Sequence, residues 1–199
     1  MTAGSLTPYR SVIHTAPTSE PITTAEAKLH LRVTHSRDND YIDALIKSAR
    51  EQVEEMTARS LMAQTWYLYR DRWPDGDRIR LPHAPVTSVT SIKYTDTAET
   101  QTTVTAGDYA LDANATPPEI VLDYGKSWPS ASLWPKSPIE VIYVTGYASA
   151  AAVPARLKSA MYLLISEAYE FREPKVTGTI VATVRSVNDL VGPYVVEWF

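Results

Sequence analysis

Apolar side chains recur at helical spacing between residues 38 and 59, where Ile42, Leu45, Ile46, Ala49, Val53 and Met56 fall on one stripe. The run Ser36-Arg37-Asp38-Asn39-Asp40 supplies N-cap candidates, so the pattern predicts a long helix ending near Arg59. Its opposite face carries Lys47, Arg50, Glu51, Glu54, Glu55 and Arg59. A solvated face is the simplest reading and an interface is the sharper one; Glu55 and Arg59 form a favourable i,i+4 pair worth ~0.3 kcal/mol. The same stripe returns after Pro154 as Leu157, Ala160, Met161, Leu164, Ile165 and Ala168, and the two long helices are expected to pack on each other.

Two shorter helices complete the helical signal. Thr23 with Glu26 three residues on makes a capping box ahead of Ala25, Ala27, Leu29 and Leu31, a short helix that stops near Val33. Ser186 can cap a last one carrying Val187, Leu190 and Val191, ended by Gly192-Pro193.

From Gln64 to Tyr147 the period changes to two. TWYLYRDRW, RIRLP, VTSVTSIKYTD, DYALD, EIVLDYG and IEVIYVTGY read as about six strands, punctuated by Pro, Gly, Asp and Asn. The fold class that follows is α+β: a helical core of two long and two short helices, with a β-rich insertion between the second and third. Residues 1–20 show no sustained period and are expected to form an extended or mobile arm. The rest, 21–199, is expected to be one domain: helical parts 21–62 and 153–173, the insertion 63–150, and a loop and tail 174–199. Within that tail KVTGTIVATV is weakly alternating and is expected to be loose.

Composition narrows the class. With 199 residues, 44% of them hydrophobic, the chain can bury a real core, and 21% charge with mean hydropathy -0.20 suits a folded soluble protein. No apolar run approaches the ~20 residues that cross a bilayer. The start MTAGSLTPYRSVIHTAP has no basic stretch ahead of an apolar core, so it is not expected to be a secretory signal. Without cysteine there is no disulfide framework, thiol nucleophile or thiolate metal site, which fits a protein made in a reducing cytoplasm. A net charge of -4 argues against a domain that grips nucleic acid by neutralising phosphates. It is compatible with DNA that slides past a repulsive wall.

Candidate chemistry is sparse. His30, His35, Asp38 and Asp40 are the nearest thing to a metal cluster, but a helix end between the histidines prevents an i,i+4 ligand pair, and the two aspartates are better explained as caps. His14 and His83 are isolated, no glycine-rich phosphate loop is present, and the pairs Glu54-Glu55 and Asp75-Asp77 sit on a helix surface and in a turn. Arg70, Arg72, Arg78 and Arg80 interleave with aromatics like a single-strand-binding surface. A half-buried strand explains them better, since alternation separates Tyr67, Tyr69 and Asp71 from Trp66, Leu68, Arg70 and Arg72. No catalytic, metal or cofactor residue is therefore assigned. The tail residues Tyr194, Val195, Val196, Trp198 and Phe199 are large and apolar at a chain end, and serve equally well as a fold-back onto the core or as a partner anchor.

Several stretches, in order, carry a family resemblance: PITTAEAKLHLRV (21–33), DNDYIDALIKSAREQVEEMTARSLMAQTW (38–66), IRLPHAPVTSVTSIKYTD (79–96), DYALD and YGKSWP (108–112, 124–129), VIYVTGY (141–147) and VPARLKSAMYLLISEAYEFRE (153–173). Over about three-quarters of its length the chain resembles the head–tail connector (adaptor, head-completion) proteins of tailed bacteriophages, and the related protein of gene transfer agents. The resemblance implies a structural virion protein, made in the host cytoplasm, that assembles as a homo-oligomeric, twelve-fold ring beneath the portal. It would extend the double-stranded DNA channel without sequence-specific binding and offer a platform to a stopper or tail-terminator protein. Under that reading Tyr194, Val195, Val196, Trp198 and Phe199 are candidate portal contacts, and Arg50, Glu51, Glu54, Glu55 and Arg59 candidate subunit contacts. No membrane partner is expected. The alternatives are a monomeric peptide- or carbohydrate-binding module using the aromatic β region, and a hydrolase whose residues converge from scattered positions.

Overall fold

A computed structural model describes residues 9–171 and 187–197. KVTGTIVATV, Trp198 and Phe199 lie outside the described residues. The order of elements is β1 (Tyr9–Thr15), α1 (Thr24–Leu31), α2 (Asn39–Thr57), β2 (Gln64–Arg70), β3 (Arg78–Arg80), β4 (Val86–Thr95), β5 (Gln101–Thr103), β6 (Tyr109–Asp112), β7 (Glu119–Leu122), β8 (Ile139–Thr145) and α3 (Ala155–Glu170). Helical residues 187–191 and a 3-10 turn, Gly192–Tyr194, follow. The fold is α+β, and all its strand pairs are antiparallel.

The described chain divides into two compact units. A β unit holds the described residues up to Ala16, Gln64–Gly146 and Glu197; a helical unit holds the described residues of Pro17–Ala63 and Tyr147–Val196. The physical reason is that each has its own buried apolar cluster.

In the helical unit, local chemistry sets the ends. Thr23 Oγ1 accepts the Glu26 N–H at 3.2 Å, and the Glu26 carboxylate accepts the Thr23 N–H at 2.7 Å, closing the capping box. These bonds from Thr23 hold the Glu26 carboxyl below its ordinary pKa. Helix α1 ends on Arg32 in the left-handed region (φ 58°), and α2 ends the same way on Ala58 (φ 52°). Asp38 holds the N-cap position of α2 without a side-chain capping bond; its Oδ2 accepts from the Tyr169 hydroxyl of α3 at 2.6 Å. Tyr41 Oη donates to the Ala168 carbonyl at 3.1 Å, so the start of α2 is tied to the end of α3. Between these ties the stripe Ile42, Ile46, Ala49 and Val53 is buried in one cluster with Leu157, Ala160, Met161 and Ile165. Val187 and Val191 of the last helical turn join it.

In the β unit the larger sheet has the order β1-β2-β8-β4-β5 and the smaller one β3-β7-β6. All six strands read from the sequence are present. The inward face of β8 is Ile139, Val141, Tyr143 and Thr145, all buried, opposite Arg70, Leu68, Trp66 and Gln64 of β2. Ile79, Leu81, Val86, Ile92 and Ile120 complete this core. Two strands escaped the sequence reading. Strand β1, inside the presumed arm, pairs with β2 from Tyr9↔Arg70 to Thr15↔Thr65. It lies at the sheet edge and is exposed on both faces, so burial imposes no alternation on its sequence. Strand β5 is three residues long and wholly exposed.

Ile46→Ala or Leu157→Ala should cost the helical unit ~2–5 kcal/mol by opening a cavity in the seam. The exposed Leu29→Ala should change stability by less than ~0.5 kcal/mol. Urea unfolding followed by far-UV circular dichroism measures both.

Candidate assembly surfaces

The charged face of α2 is not uniformly solvated. Arg50 is only 4% exposed, a correction to its place on the polar face: it flanks the apolar stripe four residues after Ile46, and is drawn in by acids on two sides. Its Nε donates to Glu20 Oε2 at 2.7 Å and its Nη1 to Glu54 Oε2 at 2.7 Å, while Glu51 Oε1 lies 3.4 Å from Nη2. The other oxygen of Glu54 accepts the Leu61 N–H at 2.7 Å, just past the helix end. Burial works against the Arg50 charge, but the Glu54 and Glu20 carboxylates outweigh it and hold its pKa above the ordinary value. Burial raises the pKa of Glu54. Of the five candidate subunit contacts, Arg50 and Glu54 are thus engaged inside the helical unit, whereas Glu51 and Glu55 are exposed. Arg59 is half-buried, and its Nε donates to the Tyr194 carbonyl at 2.6 Å.

The described part of the tail folds back. Val196 is buried and donates its N–H to the Thr57 carbonyl at 3.0 Å, and Tyr194 packs against the helical core. Val195 faces outward, 41% exposed. Fold-back and exposed anchor therefore alternate along the same three residues.

On the β unit, aromatics and cations sort by face. Val12, Tyr67 and Ile142 share one cross-strand row on the outer face, and Arg10, Tyr69 and Glu140 the next. The Arg10 guanidinium sits 5.0 Å from the Tyr69 ring centre, and His14 packs on Tyr67 at 4.6 Å. On the inner face the Trp66 and His83 rings stack 3.6 Å apart, with His83 Nε2 3.2 Å from Ser11 Oγ. Burial pushes the His83 pKa down to about 4. Trp73 stacks on Trp128 at 5.0 Å, and Trp128 Nε1 donates to the Gly76 carbonyl.

The four arginines do not form one nucleic-acid surface. Arg78 and Arg80 pair with Glu119 at 2.8 and 3.3 Å. Arg70 is buried, its Nε without a hydrogen-bond partner, and burial together with the neighbouring Arg72 lowers its pKa. Among the described residues no group of three or more His, Cys, Asp or Glu could hold a metal, and no helix is long and apolar enough to cross a membrane. His30 rests on the Tyr162 ring at 4.8 Å. What the described surface offers is edges, aromatic faces and charges suited to protein contact.

Known proteins agree with that reading. The sequence profile described as phage gp6-like head–tail connector protein matches residues 21–119. The chain belongs to this head–tail connector family. No curated protein matches it significantly. Among solved structures, a chain in the neck of an empty GTA particle computed with C6 symmetry is 25% identical, with a TM-score of 0.80 over 96% of this chain and 97% of that one. A chain of the native gene transfer agent virion is 26% identical, with a TM-score of 0.76 over 95% and 96%. One in the native GTA neck computed with C12 symmetry is 26% identical, with a TM-score of 0.72 over 96% and 97%. The connector is accordingly a structural virion protein of the head–tail interface and not an enzyme. The reading as a peptide- or carbohydrate-binding module is not favoured.

Replacing Arg50 of the connector by Met leaves Glu20 and Glu54 facing each other in a buried site. Arg50→Met should destabilise the helical unit by ~3–5 kcal/mol, whereas Glu55→Ala should shift it by less than ~0.5 kcal/mol. Chemical denaturation of the two variants checks this.

His83 yields a pH prediction. Its folded pKa, about 4, lies below the ordinary value of 6.5, so the unfolded chain binds the extra proton first. Stability contributed by neutral His83 is complete above about 6.5 and is lost as pH falls toward about 4. His83→Asn tolerates the positive φ of 63°. In thermal melts across that window its midpoint should vary less with pH than that of the parent.

Proposed function

We propose that the connector works as one subunit of a twelve-membered ring seated beneath the portal. There it extends the channel for double-stranded DNA and presents a platform to a stopper or tail-terminator protein. The observation that carries this reading is the likeness, over nearly the whole chain, to chains of neck structures computed with C6 and C12 symmetry. The net charge of -4 supports passage without adhesion, because a weakly acidic wall repels the phosphate backbone.

The portal contact in this proposal is the tail. Tyr194 and Val196 act as its internal anchors, held by Arg59 and Thr57, and Val195, Trp198 and Phe199 are the residues offered to the portal. Glu51, Glu55 and Arg59 remain candidates for subunit contact, with Arg50 and Glu54 holding the helix face behind them. Truncation after Val196 leaves both anchors in place. It should weaken binding to purified portal at least tenfold, roughly 1.4 kcal/mol or more, in a native mass or sedimentation assay. Unchanged binding by the truncated chain would overturn the tail assignment, and a parent that never rings on portal would overturn the ring.

A further inference from the structure

A ring built by rotation joins unlike surfaces, so each subunit must carry two complementary patches on opposite sides. Among the described residues the larger sheet of the β unit ends on two strands. One is β1, seven residues with neither Pro nor Lys, whose Tyr9, Val12 and Ile13 are all exposed; a register shift between Ile13 and Thr15 is its one irregularity. The other is β5, exposed throughout. Long open edges are normally blunted, because their unpaired N–H and C=O groups accept another strand.

The register shows that these edges match in direction and level. Four successive antiparallel steps, β1 to β2 to β8 to β4 to β5, leave β1 and β5 running the same way. One cross-strand row reads Tyr9, Arg70, Ile139, Tyr94, Thr102, and the next Arg10, Tyr69, Glu140, Lys93, Thr103. Tyr9 and Thr102 therefore stand at opposite ends of one row, as do Arg10 and Thr103. A copy added by rotation alone brings the β5 edge of one sheet alongside the β1 edge of the next, with no inversion.

Charge is complementary at the same end of the sheet. Arg10 stands near the start of β1 on the outer face, and the exposed Arg72 follows the end of β2 that pairs with it, where the Asp71 carboxylate accepts the Ser137 N–H. The turn before β5 presents Glu99 at its exposed tip, with Asp96 bracing it by accepting the Ala98 and Thr100 N–H groups. An acidic turn on one edge thus falls level with a basic corner on the other.

We infer that neighbouring connector subunits join edge to edge through their β units, β5 of one copy adding in parallel to β1 of the next, with Glu99 facing the Arg10/Arg72 corner. The inference rests on the ring reading and specifies the contact that closes it. Because the chain contains no cysteine, introduced pairs report alone. Full-length double variants would combine Arg10→Cys or Val12→Cys with Gln101→Cys or Thr103→Cys, be assembled on portal, oxidised and run on non-reducing denaturing gels.

At least one pair should give a ladder of linked species up to the full ring, while single variants stop at dimers. Rings that form without a ladder from any pair would overturn this contact and leave the ring intact; no ring on portal would overturn both. Charge exchange gives an independent measure. Glu99→Arg and Arg72→Glu should each raise the concentration needed for assembly several-fold at low salt, and the double exchange should recover most of the loss. Singles that assemble like the parent, or a double no better than either single, would remove the charged part of the contact.

Discussion

The seven-residue ladder between β2 and β8, unbroken from Gln64↔Thr145 to Arg70↔Ile139, is the constraint on which the rest of the molecule depends. It pairs the first strand of the insertion with the last, so the chain leaves and returns at neighbouring points. More than eighty residues separate Gln64 from Thr145, and the ladder closes that loop with backbone bonds and a fully buried inward face on β8. Within the helical unit the apolar stripe of α2 meets the one on α3, although neither finds its partner locally. The hydroxyls of Tyr41 and Tyr169 tie the ends of that seam.

The Arg50 cluster shows how charge contributes to the helical unit. An isolated buried guanidinium would be costly, and three carboxylates around this one make its burial tolerable. Glu20 belongs to the segment leading into α1, and Glu54 also receives the Leu61 N–H after α2. One cation therefore organises the approach to one helix and the exit from another. That role belongs to folding. Glu51 and Glu55 stay exposed on the same helix.

The β unit treats its cations differently. Arg78 and Arg80 are neutralised by Glu119, but Arg70 keeps a buried Nε without a hydrogen bond. Burial and the neighbouring Arg72 both work against its charge. Strand β1, at one end of the described sheet, carries exposed Tyr, Val and Ile.

Much of this was legible in the sequence. The helical stripes, the Thr23–Glu26 capping box and the six alternating segments depend on spacing within a few residues, and local rules read local spacing. The family resemblance, too, is carried by ordered stretches of sequence. Strands β1 and β5 were not legible, because edge strands exposed on both faces have no buried side to impose alternation. Helical spacing put Arg50 beside the stripe, four residues after Ile46, but its ion pair with Glu20, thirty residues away, was not legible. The order of strands in the sheet, and with it the matching of a basic corner to an acidic turn, comes from pairings across as many as eighty residues. Sequence determined which segments could be helix or strand; tertiary structure decided which charges are spent internally and which strands end the described sheet, because both depend on partners distant along the chain.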